Sequence, residues 1–153
     1  MDHEASLAYA KKYLEDLLSF FEVNVDVEAH VEGDVIELNV PSTEFNSILI
    51  GRGAETLRSM QYAVSTVLRN KDAALVRVNI DIAEYKKQRA EKVAEQAREW
   101  MEKVRGSGDS HVANLNAADR RVVHQVATEF EDIETFSEGE GRDRRIIIAQ
   151  KSS

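Results

Sequence analysis

The turn Gly51–Ala54, with the sequence Gly-Arg-Gly-Ala, carries residue types that suit a phosphate group. Glycine lets a ligand come close to the backbone and tolerates positive φ angles. A helix-forming run begins at Glu55, and the N-terminus of a helix directs free N–H groups and a positive dipole end toward such a turn. Arg52 adds a cation at the tip. The turn therefore either binds an anion or is only a tight connection between two helices.

Arg120 and His124 form a second candidate site for a phosphate. A spacing of four residues places both on one face of a helix, where an arginine fork and a correctly protonated imidazole can donate to the same phosphate. Arg121 is their neighbour in sequence, and Arg144 and Arg145 in the last predicted hairpin extend the basic face. Taken alone, the spacing is more often that of a solvated surface pair.

The composition limits how this chain could bind nucleic acid. Of its 153 residues, 42% are hydrophobic and 31% are charged, which is typical of a soluble globular protein. The net charge of −8 argues against binding by bulk electrostatics. Residues 1–82 carry a net charge of −7, residues 83–106 carry +2 and residues 107–153 carry −3. Any contact must therefore come from local basic clusters, with a modest affinity that depends strongly on salt.

The sequence offers little for catalysis. It has no cysteine, which excludes disulfides, thiolate metal sites and a cysteine nucleophile. His124 with Asp119, or His111 with Asp109, is the pair that an enzyme would use, but no His/carboxylate cluster has metal-ligand spacing. We therefore expect no catalysis, no metal and no cofactor. No signal-peptide pattern and no apolar run of membrane-spanning length are present, so we expect a cytoplasmic protein.

Hydrophobic periodicity predicts a small α+β unit at residues 1–82, in the order α-β-β-α-α-β. The predicted elements are a helix at 5–21, strands at 23–31 and 35–40, a short helix after Pro41, a longer helix from Glu55 and a strand at 75–82. In the short helix we expect Phe45, Ile48 and Leu49 to face inward.

The second half predicts one long helix at 83–105 and a second α+β unit. The remaining elements are a strand in 111–116, a helix at 117–130 with Asn116 as its cap, and strands at 132–137 and 144–150. We divide the chain into a domain at 1–82, a connecting helix at 83–106 that packs partly into the second domain, and a domain at 107–153.

The first domain resembles the bacterial, or type II, KH domain, which has this element order and an Ile-Gly-x-x-Gly loop between its two central helices. Such domains clamp about four nucleotides of single-stranded nucleic acid with the loop. Gly51 takes the place of the first glycine, whereas Ala54 replaces the last, and its methyl group would weaken phosphate contact. Beside the loop, Ile50 and Leu57 either line an apolar groove for bases or belong to the core. The resemblance implies RNA contacts at Ile50, Gly51, Arg52, Gly53, Ala54 and Arg58.

The second domain resembles the R3H domain, which is named for its Arg-x-x-x-His spacing and is associated with single-stranded nucleic acids. Arg120 and His124 supply the spacing near a helix start, and a hairpin with further arginines follows. The resemblance implies RNA contacts at Arg120, Arg121, His124, Arg144 and Arg145.

The order KH domain, long helix and R3H domain resembles the Jag family of bacterial RNA-binding proteins, also called KhpB, over about residues 5–149. Many members carry a further N-terminal domain, whereas this sequence starts directly on the KH helix. The resemblance implies a non-catalytic protein that binds single-stranded RNA or single-stranded DNA. It further implies RNA regulation of cell-envelope growth and division, with a small single-KH protein as partner. The alternative is a protein-interaction scaffold with a degenerate loop, in which Trp100 and Met101 on the long helix dock a partner or a second copy.

Overall fold

The computed structural model describes residues 1–152 and contains two compact units. The first unit comprises Met1–Lys86 and the second begins at Lys87. The helices are α1 (His3–Ser19), α2 (Asn46–Ile50), α3 (Glu55–Asn70), α4 (Tyr85–Ser107) and α5 (Ala117–Ala127). The strands are β1 (Glu28–Glu32), β2 (Val35–Val40), β3 (Arg77–Ile82), β4 (His111–Ala113), β5 (Ile133–Glu138) and β6 (Arg145–Gln150). The prediction of an α+β protein is confirmed.

In the first unit, a three-stranded sheet in the order β1-β2-β3 is covered by helices on one face. β1 and β2 are antiparallel, and β2 and β3 are parallel. Parallel neighbours need a crossover connection, which here consists of α2, the turn Gly51–Ala54 and α3. The sheet topology therefore brings the turn to the helical side of the unit.

The core of the first unit explains the amphipathic patterns in its sequence. α1 is capped by Asp2, whose Oδ1 accepts a hydrogen bond from Ala5 N at 2.8 Å. Alternate strand residues and one face of each long helix are buried together. The largest fully buried side chains of this core are Leu14, Leu18, Ile36, Leu38, Leu49, Leu57, Leu68, Ile80 and Ile82.

The opposite face of this sheet is polar and largely acidic. Glu28, Asn39 and Asp81 lie side by side across the three strands. In the next row, Asn79 Nδ2 donates to Glu37 Oε2 at 2.6 Å. A polyanion is repelled by this face, so any nucleic-acid contact of the first unit belongs on the helical side.

The second unit has an antiparallel sheet in the order β4-β6-β5. One face of this sheet packs against α5 and the part of α4 that follows Lys87. Trp100 lies at the edge of this core and stacks on His111, with 4.7 Å between the ring centroids. The buried hydrophobic residues are Val93, Ala97, Met101, Val104, Val123, Val126, Ala127, Ile133, Ile146 and Ile148.

Three details correct the expectations from sequence. β1 begins at Glu28 rather than at residue 23, because Val27 N donates to Glu15 Oε2 at 3.0 Å instead of to a strand neighbour. Ile48 is 58% exposed rather than inward-facing, since α2 has only five residues and Leu49 occupies its buried side. α5 ends at Ala127, and the chain continues to residue 130 in a hydrogen-bonded turn.

Within residues 1–152, no helix combines the length and the apolar character needed to cross a bilayer. The same residues contain no group of three or more His, Asp or Glu side chains placed to hold a metal ion.

Candidate nucleic-acid interface

Three of the four residues in the turn between α2 and α3 have a positive φ. Gly51 has φ 76° and ψ 175°, Gly53 has φ 58° and ψ 27°, and Ala54 has φ 61° and ψ 26°. The first of these conformations is essentially restricted to glycine, and the other two are left-handed helical. The turn therefore needs glycine-like freedom at more than one position.

Gly51 is required by space as well as by conformation. A Cβ atom at this position would lie 2.9 Å from the backbone nitrogen of Thr56 and equally close to the Thr56 Cβ. Around Gly53, by contrast, an added Cβ would meet no atom within 4 Å. Gly51 thus lets the turn fold back on the first turn of α3. The sequence did not reveal that Thr56 is the residue that Gly51 approaches.

Ala54 stands where the KH pattern expects the last glycine. It keeps the left-handed conformation of a glycine, and it is the N-cap of α3 without a side-chain hydrogen bond. Its side chain is half-buried and packs against the hydrophobic core. The methyl group therefore contacts the protein interior, and the geometry of the turn is retained despite the substitution.

The two arginines at this turn differ in their contacts. Arg52 is exposed at the tip. Arg58 lies one turn into α3 and donates from Nη1 to the carbonyl oxygen of Gly53 at 2.5 Å. Arg58 therefore stabilises the turn by a hydrogen bond from α3. Arg52 is the exposed cation of the turn itself.

The apolar residues beside the turn are arranged differently from expectation. Leu57 is only 1% exposed and belongs to the core, and Ile50 is half-buried. Ile48, which the sequence placed inside, presents its side chain to solvent one turn before Gly51. Ile48 and Ile50 are thus the apolar groups that a ligand at the turn could reach.

The second site is formed by α5 and the strands β5 and β6. Asn116 caps α5, as predicted, because its Oδ1 accepts a hydrogen bond from Asp119 N at 2.9 Å. Arg120 lies on the first turn of α5, is half-buried, and donates from Nη1 to the carbonyl oxygen of Leu115. Arg121 is fully on the surface.

His124 is held by two hydroxyl groups of β5. Its Nδ1 lies 2.7 Å from Thr135 Oγ1 and its Nε2 lies 3.2 Å from Ser137 Oγ. A hydroxyl can donate or accept, so the pair fixes the plane of the ring in either protonation state. Sequence reasoning missed both hydroxyls, although the alternation of β5 places them on the same face.

The surroundings of His124 favour its neutral form. Burial lowers its pKa, and the positive charges of Arg120 and Arg144 lower it further. The imidazole thus lies within the electrostatic field of both arginines. A positive field around a hydrogen-bonding ring favours an anion such as a phosphate over a cation.

Arg145 is placed differently from Arg144. It opposes Glu138 in the β5–β6 ladder, and its Nε donates to Glu138 Oε1 at 2.7 Å. Its charge is therefore largely balanced within the sheet. Of the two hairpin arginines, Arg144 is the one that contributes positive charge near His124.

Asp119 and His124, which the sequence offers as an acid–base pair, contact different partners. Asp119 is buried, and its Oδ2 accepts a hydrogen bond from Arg89 Nη2 at 2.9 Å. His124 contacts Thr135 and Ser137 instead. Asp119 thus has a structural role at the start of α5.

Residues 90–150 match the model of the R3H domain, the part of the chain that contains α5 and its surrounding sheet. The whole chain is similar to curated proteins named RNA-binding protein KhpB. The protein from Clostridium symbiosum is 29% identical over 144 residues, and the one from Streptococcus pneumoniae is 24% identical over 147 residues. The one from Bacillus subtilis is 22% identical over 145 residues. This chain thus contains a match to the R3H domain and is similar to KhpB proteins over most of its length.

The matches to these KhpB proteins cover 93% of this chain. They cover 65% of the C. symbiosum protein, 42% of the S. pneumoniae protein and 69% of the B. subtilis protein. These relatives are named for RNA binding rather than for a reaction.

Proposed function

We propose that this chain binds single-stranded RNA without catalysis, through the turn Gly51–Ala54 and through the cluster of Arg120, His124 and Arg144. The observation that carries the proposal is the imidazole of His124, which two hydroxyls of β5 hold on the helix face that also carries Arg120. The positive charges of Arg120 and Arg144 act on this ring, and guanidinium and imidazole N–H groups are suitable hydrogen-bond donors for a phosphate. The names of the relatives agree with RNA as the ligand.

We further propose that the first unit is a type II KH domain. Its element order, the position of the turn before α3 and the glycine-like conformation of Ala54 support this assignment. In such a domain the backbone of the turn contacts phosphates and bases enter the groove beside it. Ile48 and Ile50 would then contact bases, and Arg52 would contact a phosphate.

The test is fluorescence anisotropy with a short mixed-sequence single-stranded RNA, at low and near-physiological salt. One variant combines Arg52→Asp with Gly53→Asp, and aspartate at Gly53 is tolerated because the site is open and Asp readily adopts positive φ. The other combines Arg120→Ala with His124→Ala. Both should weaken binding, and each lost phosphate contact should reduce the slope of log K against log salt by about 0.7.

Arg77→Asp is the matched control for the loss of positive charge. Arg77 is an exposed arginine that pairs with Asp34 on the acidic sheet of the first unit, away from both proposed sites in the sequence. Its variant should bind RNA nearly as the wild type does. Losses that follow only the change in net charge, which is −3 for the first variant, −1 for the second and −2 for Arg77→Asp, would mean that only net charge matters. The two-site proposal would then be wrong.

His124 also predicts a pH dependence of binding. A phosphate near the imidazole opposes the effects that lower its pKa, so RNA binding should be coupled to proton uptake. The affinity of the wild type should rise between pH 7.5 and pH 6. The variant His124→Gln should lack this part of the rise, because glutamine keeps hydrogen bonds but does not titrate in this range.

The biological role is proposed by resemblance to the family alone. In this role the protein would be a cytoplasmic regulator of RNA in cell-envelope growth and division, and a small single-KH protein would be its partner. The domain division at 1–82, 83–106 and 107–153 belongs to the same proposal. The scaffold alternative predicts no salt-sensitive RNA binding by the wild type, and anisotropy therefore separates the two functions directly.

A further inference from the structure

The exposed face of α3 carries a tyrosine between two arginines. At about 100° per residue, Arg58, Tyr62 and Arg69 lie within a stripe about 40° wide. Tyr62 is 70% exposed, an unusual state for a large aromatic ring inside a well-packed helix. We propose that Tyr62 is a stacking platform for an RNA base and extends the RNA path from the turn along α3. This inference rests on the proposed function of the turn.

The local charge supports an RNA path along this helix. Residues 51–70 contain three arginines and one glutamate, a net charge of +2, whereas residues 1–82 together carry −7. Basic residues that alternate with an exposed aromatic ring are the arrangement by which proteins hold single strands without sequence preference. The positive stripe is thus concentrated on the one helix that starts at the proposed phosphate-binding turn.

Both arginines of the stripe are oriented by neutral groups. Arg58 donates to the Gly53 carbonyl, and Arg69 Nη2 donates to Ser65 Oγ at 2.8 Å. Ser65 is itself anchored, because its Oγ donates to the Val76 carbonyl at 2.6 Å. These contacts hold the guanidinium groups in place without neutralising them, so both charges act on a strand that crosses Tyr62.

The position of Tyr62 defines which nucleotides it would contact. It follows Ala54 by eight residues, about 12 Å along the helix axis. In the proposed path, the strand continues from the turn along α3, and the base on this ring follows the roughly four nucleotides that a KH loop holds. The contribution of Tyr62 should therefore depend on the length of the RNA, whereas that of Arg52 should not.

The experiment compares Tyr62→Ala and Tyr62→Phe by anisotropy with RNAs of about 4 and about 12 nucleotides. On the longer RNA, Tyr62→Ala should weaken binding about fivefold or more, the lower end of the range for a base stacked on an aromatic ring. Tyr62→Phe should retain the affinity, since stacking needs the ring and not the hydroxyl. On the shorter RNA, both variants should equal the wild type.

Phe136→Ala is the matched control for the loss of an exposed aromatic ring. Phe136 is 45% exposed on β5, and the alternation of the strand places it on the face opposite Thr135 and Ser137, which hold His124. Its variant should bind both RNAs normally.

Several outcomes would overturn the inference. Unchanged binding of the longer RNA by Tyr62→Ala, while the Arg52 and Gly53 variant loses affinity, would remove the platform and leave the proposed function intact. Equal losses in Tyr62→Ala and Tyr62→Phe would show a hydroxyl contact rather than stacking. A change in self-association without a change in RNA binding would assign the stripe to a protein contact. Absence of RNA binding by the wild type would reject the proposed function itself.

Discussion

Replacing Gly51 with alanine should destabilise the first unit far more than the same change at Gly53. At Gly51 the backbone lies in a region that is essentially restricted to glycine, which costs another residue about 1–3 kcal/mol. The new Cβ would also lie 2.9 Å from Thr56 N, and relieving such an overlap in a packed site costs about 1–3 kcal/mol more. Alanine also lowers the conformational entropy of the unfolded chain, which stabilises the folded state by about 0.4–1 kcal/mol. The net expectation is a destabilisation of about 2–5 kcal/mol.

Gly53→Ala is the control because it also replaces a glycine with alanine but creates no steric contact. Its left-handed backbone costs alanine about 1–2 kcal/mol, and no atom lies within 4 Å of the added Cβ. After the same entropy correction, the expected destabilisation is about 0.5–1 kcal/mol. The difference between the two variants should therefore be about 1–4.5 kcal/mol.

The assay is urea denaturation with two spectroscopic signals. Tyr9, Tyr13, Tyr62 and Tyr85 all lie in the first unit, and Trp100, the single tryptophan, lies in the second. Near-ultraviolet circular dichroism of tyrosine thus reports the first unit, and tryptophan fluorescence reports the second. Gly51→Ala should lower the midpoint of the tyrosine transition. Equal midpoints for the two glycine variants would refute the argument that Thr56 restricts this position.

Three further predictions concern the second unit. Asn116→Ala should remove the cap of α5 and cost about 1 kcal/mol in the tryptophan-monitored transition. Asp119→Ala should cost about 1–2 kcal/mol by the same assay, because it deletes the partner of the half-exposed Arg89. Burial lowers the pKa of His111 and His124, so the folded state binds fewer protons than the unfolded state. Stability should therefore be complete above about pH 6.5 and decline below it, and His124→Gln should reduce that decline.

Much of the fold could be predicted from sequence because its periodicities are strong. The helical stripe at Leu14 and Leu18 and the alternation around Ile36 and Leu38 each describe a surface that is half-buried. The predicted start of β1 was wrong because valines at alternate positions already occur before the strand, where Glu15 accepts a hydrogen bond from the backbone N–H of Val27. Such a side-chain contact from a distant element leaves no trace in local periodicity.

The residues of the candidate sites could be proposed from the sequence, but their contacts could not. Arg120 and His124 were proposed from their spacing together with the resemblance to the R3H domain, whereas the hydroxyls that hold His124 lie eleven and thirteen residues further along the chain. Their partnership depends on how α5 packs against β5, which is a tertiary property. Ile48 was misplaced for a related reason, since a five-residue helix is too short for its apolar residues to define one face.

The distribution of charge reconciles a net charge of −8 with an RNA-binding function. Several acidic residues of the first unit, among them Glu28, Glu37 and Asp81, lie on the sheet face opposite the helices. Arg52, Arg58 and Arg69 all lie on the turn or on α3. We expect this distribution to direct RNA toward α3, since repulsion from the acidic face is felt within about a Debye length of 10 Å at 0.1 M salt. Raising the salt should therefore weaken binding at the helical side and also relax this orientation, so that a charge-reversing Glu28→Lys variant gains RNA affinity at low salt and loses most of that gain at high salt.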